Sequence, residues 1–282
     1  MRGFAWFSHP ENVASKATPD PFIPPILKPQ RNRSRRNNGR LATKKCAAVK
    51  AAESEETEMK KGLTEIVFIL DRSGSMGGLE NDTIGGYNSM IEKQKNEEGE
   101  AIISTVLFDH ESEILHDRVP LAKIEPITEK EYFVRGSTAL LDAVGGAIHH
   151  IGNIHKYARD EDVPEKTLFI ITTDGMENCS REYSYNKVKK MVERQKEKYH
   201  WEFIFLGANI DAVNVANQFG VDKSRAVRFE CDGAGTALNY QVMSKMVSCA
   251  RACKSSTEMN AAFDSDEMLA EIRDDYKNRH KK

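Results

Sequence analysis

One short stretch constrains this chain more than any other: the β-branched and aromatic run Thr64 to Leu70, closed by Asp71-Arg72-Ser73-Gly74-Ser75. Such a run reads as a strand buried on both faces, as in a parallel sheet. The pattern then alternates. Ile84, Tyr87 and Ile91 fall at helical spacing behind Asn81 or Asp82 as a cap, and Ala101 to Phe108 is a second strand. Ser112 to His116 reads as an antiparallel edge strand, and Ser137 or Thr138 as the cap of a helix striped by Leu141, Val144, Ile148 and Ile151. Thr167 to Thr173 is another buried strand, ending at Asp174. A helix through Val188, Met191 and Val192 leads to the strand Trp201 to Leu206, after which Asp211 caps a helix that Gly220 ends. Alternation of this kind predicts an α/β fold with a doubly wound, mostly parallel, Rossmann-like sheet and helices on both faces. In such folds the ligand site lies beyond the carboxyl ends of the strands.

Three loops bring hard oxygen donors to that edge. Asp71, Ser73 and Ser75 follow the first strand, Gly136-Ser137-Thr138 opens the central helix, and Asp174-Gly175 follows the later strand. Alternate residues of Asp-x-Ser-x-Ser can turn toward one point. A small hard cation such as Mg²⁺ takes octahedral oxygen coordination and keeps several waters. Ser73 and Ser75 would offer neutral hydroxyls, while Asp71 and Asp174 orient water and supply negative charge. With few anionic ligands touching it, the cation would stay electrophilic and favour a carboxylate from outside.

Asp71, Ser73 and Ser75, then Thr138, then Asp174 in Thr-Asp-Gly, resemble the metal-ion-dependent adhesion site (MIDAS) of von Willebrand factor A (vWA) domains. The resemblance covers roughly residues 63 to 230 and is closest to stand-alone bacterial members. It implies a largely parallel sheet with one antiparallel edge strand. It also implies Mg²⁺ or Mn²⁺ held by the two serines and the threonine, with the aspartates acting mostly through water and a partner's Glu or Asp completing the shell. Glu177 and Asn178, just after Asp174, are candidates for touching that partner. Arg72 is either a steering charge for an acidic partner or a solvated arginine.

A metal-dependent hydrolase or phosphoryl-transfer enzyme using the same strand-end site is the rival reading. It is disfavoured. Ser73 stands where a haloacid-dehalogenase-type phosphatase needs a second aspartate, and neither a Walker loop nor a Gly-x-Gly-x-x-Gly fingerprint occurs. His149 and His150 lie roughly 17 Å along the helix from Thr138 at ~1.5 Å per residue, too far to serve Ser73 or Ser75. Glu177 is the one conceivable base, so no enzyme activity is expected.

Composition divides the chain. Residues 1 to 50 carry eleven Lys or Arg against Glu11 and Asp20, so the remaining chain is about −11 within a net −2. Six of the nine prolines fall in the same stretch. Residues 1–58 therefore read as a disordered basic segment, or as an over-extended reading frame ahead of Met59, and nucleic acid is expected as a partner only through this arm. Residues 60–232 read as the vWA-type domain, and 233–282 as helices packing on or extending it. Five cysteines without a C-x-x-C pair suit a reducing, cytoplasmic setting better than a disulfide framework or zinc knuckle, and Cys249 and Cys253 read as small buried apolar groups. No run approaches the roughly 20 apolar residues of a membrane-spanning helix.

Overall fold

The computed structural model describes residues 60–281. Expectations for residues 1–58, and for Cys46, lie outside the described residues. Six strands form one sheet: β1 (Lys60–Asp71), β2 (Ala101–Phe108), β3 (Ser112–Pro120), β4 (Pro164–Thr173), β5 (Glu202–Ala208) and β6 (Ala226–Phe229). Their order is β3-β2-β1-β4-β5-β6. Every neighbouring pair is parallel except β2 with β3, which is the antiparallel edge predicted, extended here to Pro120.

Side-chain parity along the central strands builds two cores. Ile66, Phe68, Leu70, Leu168, Ile170, Ile204 and Leu206 pack beneath α1 (Glu80–Lys95), α5 (Gly233–Ala252), α6 (Ser256–Phe263) and α7 (Ala270–Arg279). Val67, Ile69, Phe169, Ile171, Phe203 and Phe205 pack beneath α2 (Leu140–Tyr157), α3 (Tyr185–Tyr199) and α4 (Ala212–Gln218). This two-sided burial is why the strands read as unbroken apolar runs, each such side chain contributing about 1.5–3 kcal/mol when removed from water. The predicted stripe of Leu141, Val144, Ile148 and Ile151 is buried throughout. Residues 233–281 belong to the same compact unit as the sheet, since α5 shares the core of β1 and β4.

Strand order reverses between β1 and β4, because β1 leads through α1 to one side and β4 through α3 to the other. The crevice that this reversal opens lies at Asp71 and Asp174. Three local expectations change. Helix α1 begins at Glu80 behind Leu79 with no side-chain cap, so neither Asn81 nor Asp82 caps it. Helix α2 begins at Leu140 behind Ala139, so neither Ser137 nor Thr138 caps it. The short strand β6 and helix α6, which carry no extended period of their own, were not legible in the sequence. Asp211 does cap α4, accepting from the Asn214 amide at 3.2 Å, and Gly220 beyond it takes φ +88°.

Candidate metal centre

Asp71 ends β1, and both its oxygens are engaged. The Ser73 amide donates to Oδ1 at 2.7 Å, and the Thr173 hydroxyl at the end of β4 donates to Oδ2 at 2.6 Å. The buried Tyr132 hydroxyl donates to the Asp71 carbonyl at 2.6 Å. These bonds fold the chain back so that Ser73 and Ser75 face the crevice. Their hydroxyl oxygens lie 3.0 Å apart, and the Thr138 hydroxyl donates to Ser73 Oγ at 3.0 Å. Ser75 Oγ donates to Asp174 Oδ1. All five predicted residues therefore converge, from three loops, into one connected group.

The loop positions of Ser73 and Thr138 are themselves held. The Gly74 amide donates to the Gly136 carbonyl at 3.1 Å, and Gly136 takes φ +68° with a Cβ position that would fall 2.2 Å from His110 Nδ1. Asn178 grips Thr138 through its amide, which donates to the Thr138 carbonyl at 3.1 Å, and through its Oδ1, which accepts from the Thr138 amide at 3.0 Å. At Gly175 a Cβ would lie 2.7 Å from Thr138 Oγ1 and 3.0 Å from Ser75 Oγ. The hydroxyl cluster occupies the space a side chain would take.

The donor set fits a hard divalent cation. Two buried carboxylates and three hydroxyls offer oxygen only, and among the described residues no ion pair neutralises Asp71 or Asp174. Burial raises the Asp71 carboxyl to about 6, against the lowering by bonds from Thr173 and Ser73, with Asp174 adding repulsion. Burial likewise raises Asp174, partly offset by Ser75 and Cys231. Two acids so placed repel each other, and a cation between the loops would relieve both. Among the described residues there is no cluster of three His, Cys, Asp or Glu able to hold a metal. Hydroxyls have to complete the set.

Arg72 differs from both sequence expectations, being neither a steering charge nor solvated. It is fully buried and turns away from the centre. Its Nε donates to Asp109 Oδ2 at 2.9 Å, its Nη2 lies 2.9 Å from Glu113, and its guanidinium stands 5.2 Å from the Phe133 ring centre. Nη1 and Nη2 are buried without an aligned hydrogen bond, so the Glu113 contact is an ion pair by distance only. Glu177 has an internal role: its Oε1 accepts from the amides of Cys179 and Ser180, and its Oε2 from the Leu141 amide and the Ser180 hydroxyl. His150 pairs with Asp117 at 2.9 Å and His149 approaches the Tyr183 hydroxyl at 3.4 Å, both away from the centre.

Sequence reasoning missed Thr173, Tyr132 and Cys231, whose thiol donates to Asp174 Oδ2 at 3.5 Å. Thr173 was available as the neighbour of Asp174 at a strand end. Tyr132 and Cys231 lie in segments with no local pattern that points to the crevice.

No protein-family model matches the chain, and no curated protein matches it. Among solved structures it is similar to proximal thread matrix protein 1 from the mussel byssus, at 13% identity over 70% of this chain and 49% of that one, TM-score 0.48. A form of the same protein with a zinc-occupied MIDAS motif is similar at 15% identity, over 68% and 47%, TM-score 0.47. The von Willebrand factor type A protein of Catenulispora acidiphila is similar at 13% identity, over 64% and 41%, TM-score 0.44. The chain thus spans half or less of the length of these proteins. At such identities and TM-scores the likeness carries no argument of its own. The mostly parallel order β3-β2-β1-β4-β5-β6 with its antiparallel edge, and five oxygen-bearing residues gathered where that order reverses, give the chain the vWA-type α/β architecture that its sequence resembles.

Proposed function

We propose that the chain is a divalent-metal-dependent protein-binding module that grips a Glu or Asp of a protein partner through Asp71, Ser73, Ser75, Thr138 and Asp174. One observation carries the reading: three hydroxyls within 3.0 Å of their neighbours, flanked by two buried carboxylates that no described cation pairs with, on three separate loops. When bound, Mg²⁺ or Mn²⁺ supplies an electrophilic position that an incoming carboxylate can complete. Ser73, Ser75 and Thr138 would hold the ion. Asp71, fixed by Thr173 and the Ser73 amide, would keep its charge close without leaving the strand end. Ser75 and Asn178 are exposed and stand where a partner would touch.

The module reading is favoured over an enzyme because the group best placed to act as a base, Glu177, spends both oxygens on four internal donors. Nor does any described histidine or lysine hydrogen-bond to the five residues. A cytoplasmic setting is proposed on the cysteine pattern alone. The test is an affinity capture with the intact chain, in Mg²⁺ and in EDTA, read by mass spectrometry. Asp71→Ala, Ser73→Ala and Asp174→Ala should keep the circular dichroism of wild type and lose the partners that EDTA also removes. Capture of the same proteins by these variants would overturn the reading, and Mg²⁺-dependent turnover of a generic phosphate ester, lost in the variants, would replace it with the hydrolase.

A further inference from the structure

Among the described residues six large apolar side chains are exposed, and four of them, Ile114, Phe133, Met176 and Val213, stand at the carboxyl edge of the strands. Met176 follows Asp174 by two positions. Phe133 adjoins Tyr132, which bonds to the Asp71 carbonyl, and its ring centre lies 5.2 Å from the Arg72 guanidinium. Val213 lies in the first turn of α4, just past the end of β5, and Ile114 pairs with Val106 near the end of β2. The other two, Tyr157 and Tyr199, close α2 and α3 at the opposite end, where each helix returns the chain to the start of a strand. Exposed apolar surface is thus concentrated at the edge that carries the metal centre rather than spread over the molecule.

Met176 is the most exposed of the four, at 70%. Its loop is nevertheless fastened on both sides. The Gly175 amide donates to Thr173 Oγ1 at 3.2 Å, Glu177 accepts from four donors, and Asn178 holds Thr138 by two bonds. The backbone of Met176 is therefore fixed while its side chain lies in water. A single exposed apolar residue needs no explanation. One held out by a fixed loop, two positions from a residue of the metal centre and on the same edge as three others, calls for a contact. Methionine is flexible and polarizable, so it fits apolar groups of varied shape, and with the aromatic residues it is enriched where proteins meet.

Resting on the metal-dependent reading of this site, we propose that Met176 seats an apolar side chain of the partner beside its acidic residue, so that the chain selects a Glu or Asp with a Leu, Ile, Phe or Met within two positions of it. Residues two apart in a chain span at most about 7 Å, and this holds both for Asp174 and Met176 and for the two residues of the partner. An extended partner segment can therefore offer its acid to the metal and its apolar side chain to Met176 together. The acid supplies charge to the ion, and the apolar contact supplies the burial that a carboxylate cannot. Met176 is thus a specificity-determining residue of the centre.

The test is selection from a random peptide library displayed on phage, captured on the intact chain in Mg²⁺ and eluted with EDTA. Wild type should enrich peptides that carry an acid and, within two positions of it, a large apolar residue. Met176→Ser, with the circular dichroism of wild type, should keep the acid and lose the apolar preference. A peptide selected on wild type should bind Met176→Ser about fivefold more weakly, as expected for partial burial of one apolar side chain. The same peptide with serine in place of its apolar residue should bind both chains alike. Acidic peptides without an apolar preference on wild type, or the same preference from Met176→Ser, overturn the proposal and leave the metal reading standing. No EDTA-eluted enrichment on wild type overturns both. Apolar peptides without an acid, retained in EDTA, overturn the proposal in favour of a docking surface separate from the metal.

Discussion

Gly175 is the smallest participant in the centre and sets its dimensions. Its Cα faces Thr138 Oγ1 and Ser75 Oγ, and a methyl there would sit at 2.7 Å and 3.0 Å from them. Both atoms belong to short side chains on held loops, so neither can retreat without giving up its place in the cluster. The order Asp-Gly after β4 is thus a packing requirement of the hydroxyls rather than a turn signal, and Gly175 has no positive φ that would otherwise demand glycine. Gly175→Ala should reduce Mg²⁺ affinity of the intact chain at least tenfold in a calorimetric titration, while the far-ultraviolet circular dichroism stays that of wild type. Equal affinity in the two proteins would mean that the hydroxyl cluster is not where the metal sits.

At the scale of elements, the start of α2 explains how Thr138 is released for the centre. A helix opens with unpaired amides, and a Ser or Thr beside them ordinarily answers one. Here the Leu141 amide is answered by Glu177 at 2.9 Å and the Asp142 amide by Ser180 at 3.1 Å, both from the loop after β4. A capping role for Thr138 was the natural expectation from sequence, because nothing local reveals that another loop has taken over the work. Glu177→Ala would leave the amides of Leu141, Cys179 and Ser180 without that acceptor. Its urea unfolding free energy should fall by about 1–3 kcal/mol, with the midpoint shifted and the slope unchanged; a loss below a few tenths of that would show that water replaces the carboxylate fully. The far ends of the helices are closed by buried cations in the same long-range manner. Lys166 on β4 donates to the carbonyls of Arg251, at 3.1 Å, and Cys253 after α5, and Arg251 in turn donates to the Gln94 carbonyl in the last turn of α1 and to the Glu97 and Gly99 carbonyls beyond it. These contacts make residues 233–281 part of the domain body.

Across the whole molecule, what the sequence discloses is what repeats along a strand or helix, and what it hides is what crosses between them. The two-sided strands were legible because every residue from Ile66 to Leu70 is buried, and the five oxygen residues were legible because strand ends mark the crevice in advance. Tyr132, 61 positions from Asp71, and Cys231, 57 from Asp174, were not, since such pairings follow from loop paths. The Arg72–Asp109–Arg135 group is another of these hidden features and ties the ends of β1 and β2 to the segment ahead of α2. Asp109, at the end of β2, accepts from Arg72 Nε at 2.9 Å and Arg135 Nε at 2.8 Å, and its carbonyl accepts from the Ala139 amide at 2.7 Å. Burial acts to raise the Asp109 carboxyl, but the Arg135 bond, the Glu111 amide and Arg72 together hold it below the ordinary carboxylate range. A folded-state pKa below the unfolded value of about 3.9 gives stability that is complete above that value and is lost as pH falls through the folded one. Asp109→Asn keeps the shape and removes the charge, leaving buried Arg72 with Glu113 alone. At pH 7 the variant should lose about 3 kcal/mol of unfolding free energy. Between about pH 5 and 2, urea titrations should then show stability falling less steeply in the variant than in wild type, because the variant lacks the carboxyl that takes up the proton on unfolding. Parallel pH profiles for the two proteins would assign the acid sensitivity to other carboxylates and leave the Arg72 group as a packing feature only.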